Sequence, residues 1–65
     1  MTEQEFNDIL DFAIEREKEA VRFYRELQNE AKFRDQAEML KDLEAMEMGH
    51  IKVIEGIRQK GVSEE

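Results

Sequence analysis

The chain has no cysteine, which excludes disulfides, thiolate zinc sites and iron–sulfur clusters held by its own residues. It has no proline either, and nothing in its 65 residues approaches the apolar run of a signal peptide or a membrane span. A cytoplasmic location, or enclosure in an internal compartment, is therefore expected. Hydrophobic residues make up 40% of the chain against 42% charged, a balance that without a regular pattern would indicate disorder. Basic residues are few: 10 Lys and Arg face 17 Asp and Glu, for a net charge of −7. That charge weighs against nucleic acid and anionic membranes as partners and favours cations. A chain this short is one domain at most, buries only about 60% of its unfolded surface, and is marginal alone.

What is present is periodicity. Phe6, Leu10, Ala13, Ala20, Tyr24, Leu27 and Ala31 recur in alternating steps of four and three, with Glu17 in the one gap. Leu40, Leu43, Ile54 and Ile57 repeat the pattern, and its two inner positions are Glu47 and His50. Such a spacing is the seam of packed helices. An unpaired charge there costs several kcal/mol or is forced to neutralise. Three ionisable groups at seam positions need a compensating partner, and metal is the natural candidate.

Thr2 and Glu5 form a capping box, so the first helix is expected over about residues 3–32. A turn is expected at about 33–35, where Asp35 followed by Glu38 repeats the cap-plus-acid pattern and opens a second helix over about 36–60. Lys60 and Gly61 supply a closing cation and a C′ glycine. Two long helices joined by a short turn make an antiparallel hairpin. With a rise of about 1.5 Å per residue, Glu17 and the Glu47–His50 pair each lie roughly 20–25 Å from the turn. The periodicity alone did not require that shared level.

Glu47 and His50, three apart on a helix, project from one side and can address one ion. Glu17 from the facing helix adds a third donor. Two hairpins related by a two-fold axis would supply four carboxylates and two histidines, the ligand set of di-iron and di-manganese carboxylate bundles. Two divalent ions would neutralise those four carboxylates. Oxygen-rich ligation with one imidazole per metal suits iron or manganese better than structural zinc.

The segment Glu17-Lys18-Glu19-Ala20-Val21-Arg22-Phe23-Tyr24, followed by Leu43-Glu44-Ala45-Met46-Glu47-Met48-Gly49-His50, resembles the first half of a rubrerythrin-type, ferritin-like domain. The likeness covers nearly the whole chain. It implies an all-α hairpin that dimerises into a ferritin-like four-helix bundle with two iron ions per dimer, manganese being the alternative. It implies Glu17 as a terminal or bridging ligand, Glu47 as a bridging ligand, His50 as a terminal ligand and Tyr24 as a tyrosine bonded to a ligand carboxylate. The implied activity is oxidation of Fe(II) by oxygen or peroxide. Ordinary members carry the motif pair twice; encapsulated ferritins carry it once, as here, and build the site between subunits. Those proteins usually have an acid before the first ligand, where this chain has Arg16, so an accessory iron-entry site is not implied. The chain ends Gly-Val-Ser-Glu-Glu, without the apolar targeting tail of an encapsulated cargo, and lacks a cysteine-ligated electron-delivery module.

Glu44, one turn before Glu47, is a further candidate ligand, set against a solvated acid. Met39, Met46 and Val53, with Ile9, Phe12 and Phe23, form a second apolar stripe expected to serve as core and subunit contact. Gly49 and Gly56 cost about 1 kcal/mol each in helix propensity and would permit close approach in a larger assembly. Two other readings compete with the di-iron one: a non-catalytic oligomerisation module with structural metal or none, and the N-terminal half of a longer ferritin-like protein.

Overall fold

The computed structural model describes residues 1–61 as two helices, α1 (Glu3–Glu30) and α2 (Arg34–Lys60), packed as a hairpin with no strand among the described residues. The capping box at its start is complete. The Glu5 amide donates to Thr2 Oγ1 at 3.1 Å and the Thr2 amide to Glu5 Oε1 at 2.8 Å, which satisfies two orphan donors reciprocally.

α1 stops at Glu30, earlier than the pattern predicts, where Ala31 turns extended (φ −67°, ψ 132°). Its last turn holds no basic residue, so nothing there complements the helix dipole. α2 begins earlier than predicted, and its cap is not Asp35. Phe33 is the extended N-cap residue without a side-chain cap bond, and its carbonyl accepts the Ala37 amide at 3.1 Å. Asp35 sits inside the first turn and accepts from the Gln36 amide at 2.9 Å, where its charge still favours the helix N-terminus. At the other end Gly61 adopts φ 81°, a left-handed conformation that glycine takes without steric cost, and donates to Ile57 O at 3.0 Å. Arg58 and Lys60 lie in that last turn.

The seam is rotated from the one the sequence stripe predicts. Leu10, Ile14 and Val21 are the buried apolar residues, and Ile14 and Val21 lie outside the predicted stripe. Asn7, Glu17, Tyr24, Gln28 and Ala31 continue the same line, all half-buried. α2 answers with Ala37, Leu40, Glu44, Glu47, Ile51, Ile54 and Arg58, also half-buried, whereas His50 and Ile57 are exposed. The reason is geometric. Steps of three and four through Leu10, Glu17 and Tyr24 can be completed with either of two neighbouring rows, and a two-helix hairpin closes on one of them. Phe6, Ala13, Ala20 and Leu27, the other row, remain half-buried beside it.

At roughly 100° of turn per residue, that second row and the row Leu43–His50–Ile57 fall on the same side of the hairpin. Ile9, Phe23, Met39, Met46 and Val53 extend this open edge, each about half exposed or more. The opposite, closed edge carries the arginine–carboxylate contacts between helices. Arg58 reaches Asp11 at 2.6 Å, and Arg25 reaches Glu44 at 2.7 Å. Phe12 points away from α2 altogether, with the Arg16 guanidinium 5.8 Å from its ring centroid.

Candidate metal centre

Midway along the hairpin, α1 supplies Glu17 and α2 supplies Glu47 and His50. One ligand atom from each lies within 4.8 Å of the others. His50 Nδ1 is 3.2 Å from Glu47 Oε1, as expected of residues one helical turn apart, and 3.7 Å from Glu17 Oε1 across the seam. Both carboxylates are half-buried, while the imidazole is exposed on the open edge. The group thus opens toward the uncovered apolar surface.

Its electrostatics are those of a cation site. Glu17 is held above the ordinary carboxylate range, first by the hydrogen bond its protonated form makes with the Glu47 carboxylate. Loss of solvent and repulsion from the Glu47 charge act in the same direction, and His50 opposes them. Two acids that resist ionising together are relieved by a positive ion between them. Two carboxylates and an imidazole are also a donor set that iron and manganese accept. The residues therefore fit such an ion on chemistry as well as on position.

Glu44 lies outside this group. Its Oε2 accepts from Arg25 Nε at 3.0 Å and Nη2 at 2.7 Å, and its Oε1 from Gln28 Nε2 at 2.6 Å. Arg25 first and Gln28 second hold its carboxyl below the usual range. Tyr24 is half-buried on the seam with its ring 5.7 Å from that of Phe23, and the hydrogen bonds within the hairpin do not tie it to a carboxylate of the group. Arg25 and Gln28 do not stand out in the sequence pattern. Their one signal was a polar pair three apart at the edge of the seam, which periodicity scores as solvated surface.

The family model for rubrerythrin matches residues 8–65. The chain belongs to the rubrerythrin family. Proteins of this family generally bind iron and form oligomers. Comparison with curated proteins and with solved structures returned no match. No helix among the described residues is long and apolar enough to cross a membrane.

Proposed function

We propose that two copies of this rubrerythrin-family hairpin pair through their open edges into a four-helix bundle that holds two iron ions between the subunits and oxidises Fe(II) with oxygen or peroxide. The observation that carries this reading is the convergence of Glu17 and Glu47 in the seam with His50 on the exposed apolar edge beside it, midway along the hairpin. A site at mid-length meets its own copy at the same level when a two-fold axis passes beside it. One hairpin offers three donors, too few to enclose an ion. Two offer the four carboxylates and two histidines of a paired-metal centre.

Surface area supports the pairing. A compact protein of 7.8 kDa exposes about 4,400 Å². The hairpin exposes 5393 Å², an excess of the order that one partner buries in a standard interface, about 800 Å². Covering the open edge would also remove bulk water from around His50.

Within the centre, Glu17 and Glu47 supply oxygen donors, and Nδ1 is the His50 nitrogen that faces both. Where Glu17 is protonated, its proton must leave as a cation enters, so over the range in which Glu17 titrates binding strengthens as pH rises. When bound, iron would supply reversible ferrous–ferric redox chemistry. The remaining contribution of the chain is positional: α1 and α2 fix three donors before the ion arrives.

Anaerobic titration with Fe(II) tests the reading. Uptake should saturate at about two irons per dimer. Admission of air or peroxide should then raise ferric absorbance faster than the same iron oxidises in buffer. His50→Ala should reduce both stoichiometry and rate, while Tyr24→Phe should spare binding and change mainly the rate. Sedimentation showing a folded monomer with two bound irons would overturn the shared site. Equal oxidation rates with and without protein would reduce the role to structural metal binding.

A further inference from the structure

Two sets of polar contacts tie α1 to α2 on the closed edge, and they are not equivalent. Asp11–Arg58 is the outer one, its side chains 53% and 40% exposed. In Arg25–Gln28–Glu44, Arg25 is 59% exposed, but the Glu44 side chain is only 15% exposed and both its oxygens accept from α1. Charge-assisted bonds of this length, partly shielded from water, are directional and resist displacement. We propose that Arg25, Gln28 and Glu44 form the positioning clamp of the metal centre, fixing α2 against α1 so that Glu47 meets Glu17. The inference rests on the metal-centre reading given above.

The argument turns on rigidity and distance. Glu44 and Glu47 stand one turn apart on the same helix, so an axial shift of α2 that strains the Glu44 bonds moves Glu47 by the same amount. A slip of a single residue amounts to about 1.5 Å. A preorganised site tolerates roughly 0.5 Å. The apolar seam is thin, with Leu10, Ile14 and Val21 its buried members, and rows spaced by three and four offer similar contacts after a small displacement. Directional hydrogen bonds remove that ambiguity where apolar contact does not. The bonds also explain why Glu44, though only a turn from Glu47, stays apart from the donor group. Its lone pairs are turned to Arg25 and Gln28.

The test uses Co(II) as a probe whose visible spectrum reports ligand geometry without turnover. Metal-free full-length protein, with its thermal unfolding recorded separately, is titrated with Co(II) alongside Arg25→Met, Gln28→Leu and the control Arg58→Met. Both clamp variants should bind Co(II) about tenfold more weakly, the cost of losing an outer support of a metal site. Their absorption bands should also shift. Arg58→Met should retain affinity and spectrum even where its melting temperature falls as far. If Arg25→Met fails to fold, Gln28→Leu, which keeps the ion pair, decides the matter. Unchanged Co(II) affinity and spectrum in a folded clamp variant would overturn the clamp while leaving the site intact. So would an Arg58→Met loss that tracks its melting temperature as the clamp variants track theirs. No Co(II) binding by the unaltered chain would overturn the metal-centre reading and the clamp with it.

Discussion

Along the closed edge, Arg58 finds Asp11 and Arg25 finds Glu44, whereas along the open edge Ile9, Phe23, Met39, Met46 and Val53 are each about half exposed or more. The same two helices supply both edges. The closed edge completes its interactions within one chain, and the open edge does not. Isolated surface ion pairs contribute little to stability, about 0–1 kcal/mol each, so neither pair does much to hold the fold, and the register role proposed above falls to Glu44 with its two partners and not to Asp11–Arg58. The apolar open edge carries the larger free energy, at about 25 cal/mol per Å² once covered, but only a partner can realise it. The candidate metal donors Glu17, Glu47 and His50 lie where these two edges meet.

The largest expected effect is a break in the open edge. Val53→Lys sets a charge on the exposed apolar surface proposed to meet a second copy. Sedimentation at micromolar concentration should show the dimer lost, and circular dichroism a large fall in helicity, because a two-helix hairpin of this size is marginal alone. A stable helical monomer would instead mean that the hairpin needs no partner, and a persistent dimer would place the interface elsewhere.

Next in size is the seam itself. Leu10→Ala removes one of the three buried apolar side chains among the described residues and should cost about 2–3 kcal/mol, read by urea denaturation. Phe12→Ala is larger in volume but lies on the outer face, 65% exposed, and should change stability by less than about 0.5 kcal/mol. If the two losses are equal, Phe12 is buried in the assembly, and the outer face is a second interface.

Much of this was legible in the chain, and the part that was not has a physical cause. Alternating steps of three and four declared two helices, and Thr2 with Glu5 declared where the first begins. Glu17, Glu47 and His50 stood out because acids and imidazoles interrupt an apolar row. Which of two adjacent rows closes the hairpin was not legible, since Leu10, Glu17 and Tyr24 belong to both. The choice depends on how Ile14 and Val21 pack against α2, a tertiary property. The start of α2 was misplaced because Asp35 has the chemistry of a cap, while the backbone turns one residue before Arg34. The Glu44 contact was hidden for a different reason. Its partners lie 19 and 16 residues away, beyond any local rule.

A subtler pair of predictions contrasts the edges through protons. Glu17, near the open edge, has a folded-state pKa raised above its ordinary value by Glu47 and by lost solvent. The folded state therefore holds that proton more tightly than the unfolded chain does. Its stabilising share is complete below the unfolded pKa and is lost as pH rises through the raised one. Glu44, on the closed edge, has its folded pKa lowered by Arg25 and Gln28, so its share is complete above the unfolded pKa and is lost as pH falls through the lowered one. Descending from neutral pH without metal, the protein should first gain stability as Glu17 takes up a proton. It should then lose stability as Glu44 is neutralised. Urea denaturation in a chelator across that range should show a maximum below neutrality. Glu17→Gln should remove the rise, and Glu44→Gln should remove the part of the fall that comes from the clamp. A profile that only declines from neutral pH would mean that Glu17 and Glu47 are not close enough to repel, and so not close enough to share an ion.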